Sequence, residues 1–147
     1  MMKINLDIDG KYDDTEVIIR APHLNNDIER MVAMMRMIDM QIAVRKDNET
    51  YLLDIDKILY IEAVDRKTFV YTNSENYESE LKLYELEKEL VVRDFLRISK
   101  QSIVNLRKIK SLKTDINRKI RITLQNGEQI VVSRMYSDEL RRKLGLR

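Results

Sequence analysis

The side chains best suited to chemistry lie in one run, Phe95-Leu96-Arg97-Ile98-Ser99-Lys100-Gln101-Ser102-Ile103-Val104-Asn105. Phe95 and Ile98 read as apolar anchors at the ends of a short strand, and Ile103-Val104 must bury. Between them stand four polar residues, Ser99 to Ser102, pinned at both ends and so presented as a rigid loop. Their chemistry is recognition, not bond-making. Lysine donates to guanine, glutamine bonds adenine through two atoms, and serine serves a groove or a phosphate. Asn105, ahead of Leu106, is placed to turn the backbone. The competing reading is a structural loop in a β protein.

Charge favours the first reading. The formal net charge is only +2, yet it is segregated. Residues 1–41 hold five basic and eight acidic side chains, residues 42–96 hold eight and thirteen, and residues 97–147 hold fourteen and four. Within 97–121 there are nine Lys or Arg and a single acid, Asp115. A surface that neutralises phosphates and releases their counterions needs such a concentration. Phe and Tyr fall mostly at inward-looking strand positions, and the run 97–121 contains no aromatic residue. That argues against a reader of single-stranded RNA, which stacks bases on exposed rings. An RNA-binding or protein-interaction β module is the alternative.

Catalytic groups are scarce. The chain has no cysteine and one histidine, His23, so thiolate chemistry and Cys- or His-clustered metal sites are excluded. There is no glycine-rich phosphate loop and no nucleophile elbow. No enzyme activity, cofactor, metal or small-molecule substrate is expected. No apolar stretch approaches the ~18 residues of a membrane span, and Met1 to Gly10 lacks the apolar centre of a signal peptide. The expectation is a cytoplasmic protein.

The positioning elements follow from periodicity. Residues 3–8 and 16–20 read as strands either side of a turn at Gly10–Asp14. Pro22 breaks the second. Asn26 with Glu29 resembles a capping box, and Ile28, Met31, Met35 and Ile38 mark an inward helical face. The methionines at 31, 34, 35, 37 and 40 are core or an adaptable contact surface. From Gln41 the pattern changes. Strands are expected at 42–46, 50–54, 58–64, 68–72, 77–80, 95–99, 109–114, 119–124 and 129–132, with Asn126-Gly127 as a hairpin turn. Helices are expected at 82–90 and 134–144, the latter capped by Ser133 and stopped by Gly145. The fold class is mainly β within α+β: short antiparallel sheets with small helices, preceded by a strand-strand-helix extension over 1–41, with the second unit at 42–147.

The run around Ser99–Asn105 resembles the hallmark of the LytTR family of DNA-binding domains. Ile58-Leu59-Tyr60-Ile61-Glu62, Lys67 to Tyr71 and Val132-Ser133-Arg134-Met135-Tyr136 carry the same resemblance, which covers residues 42–147. It implies an elongated array of short antiparallel sheets that reads duplex DNA with loops in successive major grooves. By the resemblance, the first reading loop is Arg66-Lys67-Thr68, the second is Ser99-Lys100-Gln101, and the third contact is Arg134. Other members carry histidine where this chain has Thr68 and Ser99. Ser102 completes the polar quartet. Arg107, Lys108 and Lys110 are expected to hold phosphates. Arg97 has two uses open to it, a phosphate or a neighbouring carboxylate. Residues 1–41 are similar to the extension of stand-alone, response-regulator-like members without a receiver domain. The resemblance implies a homodimer on repeated half-sites and leaves room for a regulatory partner protein, often a membrane protein in such members.

Overall fold

The computed structural model describes residues 1–146, apart from the side chain of Asp39. Alternation of apolar and polar residues builds a seven-stranded antiparallel sheet. Its strands are β1 (Gln41–Lys46), β2 (Glu49–Asp54), β3 (Tyr60–Val64), β4 (Lys67–Tyr71), β5 (Asn76–Ser79), β6 (Phe95–Arg97) and β7 (Ser102–Asn105), in the order β2-β1-β5-β4-β3-β7-β6. Two of its hairpins close through two-residue turns, Asp47-Asn48 and Asp65-Arg66, with φ of 51° and 65°, and 50° and 68°. That left-handed geometry matches the twist of the flanking strands. A second antiparallel sheet is the meander β8 (Ile109–Thr114), β9 (Ile120–Leu124) and β10 (Gln129–Val132). The expected Asn126-Gly127 turn joins β9 to β10, with Gly127 at φ 90°.

Because successive strand residues face opposite sides, the central strands feed two cores. Ile61, Phe95, Ile103 and Val70 pack with Leu86 and Leu90 of helix α2 (Leu83–Leu90). Their neighbours Tyr60, Leu96 and Val104 face the other way, onto Ile120, Ile122, Leu124 and Val132 of the second sheet and Leu140 of helix α3 (Arg134–Lys143). Ile103 and Val104 are both fully buried, as their sequence context required. Burial and a hydrogen bond to Glu128 push the Tyr60 phenol above its ordinary pKa, so it stays protonated and ties β3 to the β9–β10 turn. Tyr60 also stacks on Tyr71, ring centroids 4.4 Å apart.

The N-terminal region departs from expectation. Residues 3–8 and 16–20 form no strand, and residues 1–27 are exposed throughout. The alternation of 3–8 and the apolar run within 16–20 need a neighbouring strand to accept their hydrogen bonds, and this chain supplies none to them. Only the turn is built: Tyr12 N donates to Asp9 O at 3.3 Å, and the Tyr12 hydroxyl to Asp7 Oδ2 at 2.6 Å. Helix α1 (Asn26–Arg36) does form, but its cap is Asn25, whose side chain accepts from Ile28 N at 3.0 Å. The buried side of α1, with the short 3-10 turn that continues it, is Ala33 and Met37, not Ile28, Met31, Met35 and Ile38. Arg30 lies on that same side and pairs with Glu85 of α2 at 2.5 Å. Ala33 and Met37 join the same core as Ile42, Leu53 and Leu86, so α1 packs across the expected boundary at residue 41. Among the described residues, no helix is long and apolar enough to cross a membrane.

Candidate nucleic-acid interface

The loop Ser99-Lys100-Gln101 is closed at its base by Ile98 N donating to Ser102 O at 3.0 Å. Ser99 folds its hydroxyl back to accept from Gln101 N at 3.2 Å. Lys100 and Gln101 are left exposed at the tip. Arg97 holds the loop from below. Its Nε donates to Ser99 O at 2.8 Å, Nη2 to Lys100 O at 2.6 Å, and Nη1 to Glu87 Oε1 at 2.9 Å. Arg97 is only 19% exposed. Three of the five guanidinium N–H groups are thus taken by a carboxylate and two carbonyls, and of the two uses open to Arg97 the carboxylate is Glu87. Arg97 is a positioning residue.

Two backbone hydrogen bonds gather segments that are far apart in sequence. Ala63 N donates to Gln101 O at 2.8 Å, tying the loop to the end of β3 that runs into the Asp65-Arg66 turn. Ser133 N donates to Ile98 O at 3.0 Å, placing the first turn of α3, and Arg134 with it, on the other flank. The Ser133 side chain makes no capping bond, although a cap was expected; its backbone N–H donates to Ile98 O and its carbonyl accepts from Ser137 Oγ at 3.1 Å. Gly145, at φ 72°, ends α3 as expected.

Arg66 sits at the hairpin tip in the left-handed region, which costs a non-glycine residue roughly 1–2 kcal/mol. Such strain is common where a side chain must be aimed. Lys67 follows, 3.8 Å from Glu78 and largely exposed. Thr68 lies one residue further along β4, where the pleat turns it inward, and it is 4% exposed. Ser102 is half-buried in β7, opposite Glu62. Among the described residues, Arg66, Lys100 and Arg134 appear in no ion pair within the chain.

Arg107, Lys108 and Lys110 do not join this cluster. They follow β7 at the end away from the loop, separated by a four-residue strand of ~13 Å. Arg107 pairs with Asp94 there at 2.9 Å. Lys110 lies at an irregularity in the β8–β9 register, exposed. Asn105 makes the turn between strand and cations: its amide donates to Ile58 O at 2.9 Å, and its oxygen accepts from Arg107 N at 3.1 Å.

Arg118 and Lys119, which sequence reasoning did not single out, lie beside α3 instead. Ser137 Oγ lies 3.3 Å from Arg118 O, and Arg141 Nη2 donates to Thr114 Oγ1 at 2.6 Å, so the β8–β9 turn abuts the helix that begins with Arg134. The basic run contained them, but spacing alone could not tell which end of the second sheet they occupy.

The arrangement presents a hairpin tip, a braced loop and a helix start, each bearing a cation or amide without an internal use. Strands separate the three helices along the chain, so no two helices are joined by a short turn.

A family model described as the LytTr DNA-binding domain matches residues 48–145. Across 99% of this chain and the whole of each relative, the sequence is 28% identical to an uncharacterized HTH-type transcriptional regulator of Staphylococcus aureus strain MW2. It is 27% identical, over the same shares, to a regulator of that description in strain COL. Among solved structures it is similar to a LytTr DNA-binding domain from Bacillus cereus, at 27% identity and a TM-score of 0.69, covering 73% of this chain and 98% of that one.

Proposed function

This chain belongs to the LytTR family of DNA-binding domains, and from that membership we propose that it is a transcriptional regulator which binds duplex DNA by sequence, as a dimer on repeated half-sites. The observation that carries the reading is the convergence produced by the Ala63–Gln101 and Ser133–Ile98 backbone bonds. They bring Arg66-Lys67, Lys100-Gln101 and Arg134 onto one side of the fold from three distant places in the chain. These side-chain types match base edges: Arg and Lys suit guanine, and Gln suits adenine. Their carriers are rigid, so little entropy is lost on docking.

Arg118 and Lys119 flank this side next to α3 and serve as phosphate ligands. Arg107, Lys108 and Lys110, beyond β7, hold phosphates further along the duplex. A span of ~13 Å is under half of one ~34 Å helical turn, so both groups reach one bound site. Reading is by loops and by the N-terminus of α3, in the major groove. Two half-sites multiply affinity without new contacts per protomer.

The test is selection of bound duplexes from a random pool, followed by titration of the recovered site at several salt concentrations. A recovered motif with inverted or direct repeats, and log affinity falling steeply with log salt, supports the reading. Recovery of no motif, with affinity flat against salt, refutes it.

A further inference from the structure

Fourteen of the twenty-four exposed large apolar residues among those described fall within residues 1–40. They form two groups. The first is the extended arm, with Ile4, Leu6, Ile8, Val17 and Ile18 all more than 60% exposed. The second belongs to α1 and the 3-10 turn after it: Val32, Met34 and Ile38 are exposed, and Ile28, Met31 and Met35 are half-buried. At 100° per residue, Ile28, Met31, Val32 and Met35 lie on the side of α1 opposite Ala33 and Arg30, which face the core and Glu85. A helix apolar on both sides is a helix meant to be covered on both. The domain covers one.

We infer that the second cover is another copy of this chain. Segments 3–8 and 16–20 pair with their counterparts in that copy, and the sheet they form lies over the outer sides of the two α1 helices. Three observations support this occupant. The alternating segment 3–8 and the short apolar run 17–19 have a formed turn between them but no strand partner, and a second identical arm supplies one in register. The coverable area is sufficient: thirteen exposed large apolar side chains from Met1 to Ile38, at roughly 100 Å² each, exceed the ~800 Å² per partner of a standard interface. A patch of that size is unusual on a monomer. The surface is also self-complementary, apolar on both arm and helix, which suits the two-fold arrangement in which one patch meets itself.

Helix α1 packs on β1, four strands from β7 in the sheet order. The inference rests on the dimer part of the proposed function and not on DNA binding.

Sedimentation velocity of the full chain across micromolar concentrations, without DNA, tests it. Leu6→Asp and Ile38→Asp are the variants, at positions 81% and 78% exposed, so the folded single chain tolerates both. The expected result is a dimer for the parent chain and at least a tenfold weaker dimer for each variant, with unchanged circular dichroism. Hydrogen exchange should protect amides 3–8 and 16–20 in the parent and release them in Ile38→Asp. A parent dimer with both variants equally tight places the seam elsewhere and overturns this inference alone. A parent chain that stays monomeric at tens of micromolar overturns it together with the dimer reading, and assigns the patch to a different protein.

Discussion

Replacing Arg97 with Lys separates positioning from charge. The substitution keeps the cation and gives up the fork that bonds Ser99 O, Lys100 O and Glu87 Oε1 at once. One ammonium on a flexible stem retains the Glu87 pairing and at most one carbonyl. Hydrogen bonds from a charged donor contribute ~1.5–3 kcal/mol each when buried. At 19% exposure Arg97 is close to that condition, but the freed carbonyls regain water at the loop surface, so the net loss is about 1–2 kcal/mol. That loss falls on the ordered form of loop 99–101, the form in which Lys100 and Gln101 are aimed. Cognate affinity should therefore drop roughly 5–30-fold, with Arg97→Ala at least as severe. Binding to scrambled duplex, and the slope of log affinity against log salt on either DNA, should stay at parent values for Arg97→Lys. Fluorescence anisotropy on both duplexes at four salt concentrations measures this, with thermal melts to confirm folding. The reasoning is refuted if Arg97→Lys binds cognate DNA like the parent while Arg97→Ala loses about one unit of salt slope, since that is the behaviour of a phosphate ligand.

Arg134→Ala should cost about 1–3 kcal/mol on the cognate site and relax preference at one base pair, whereas Lys108→Ala or Lys110→Ala should weaken all duplexes alike and shallow the salt slope by about one unit; equal loss on cognate and scrambled DNA for Arg134→Ala would make it a phosphate or structural residue. Asn105→Ala removes a side chain only 2% exposed and orphans the Ile58 carbonyl, so denaturant unfolding should show a loss of ~1–3 kcal/mol, with base preference unchanged for the folded fraction. Deleting residues 1–24 should leave the fold of the single chain intact by circular dichroism, because that arm is exposed throughout, and should lower the melt only by the stabilisation that the dimer adds. Deleting 1–41, the expected boundary, also removes Ala33 and Met37 from the core and should cost ~2–5 kcal/mol by analogy with large core truncations; equal melts for the two truncations would show that α1 adds nothing to the domain.

Much of the molecule was legible from local signals. Alternation located all but one of the strands of the two sheets within a residue or two, Gly127 and Gly145 marked their turn and stop, and the polar run between buried segments stood out, with Ser99 to Gln101 as the loop and Ser102 opening β7. These features are decided by neighbours along the chain: a pleat, a positive φ, a run of buried side chains. Where local signals failed, the deciding contact came from elsewhere. Segments 3–8 and 16–20 have a strand pattern without a strand, because pairing is a property of two segments and the pattern belongs to one. The buried side of α1 went to Ala33 and Met37, because an apolar helix with several equivalent stripes is oriented by what it packs against, here the core of Ile42, Leu53 and Leu86, with Arg30 on Glu85 on the same side. Thr68 turned inward through the phase of β4 against β5. Of the two uses open to Arg97, the carboxylate is Glu87, ten residues earlier in the chain. The residue types of the candidate interface, Arg, Lys and Gln on stiff carriers, were therefore in the sequence. Their meeting on one side was not, since the Ala63–Gln101 and Ser133–Ile98 bonds exist only once the strands and α3 have packed around two shared cores.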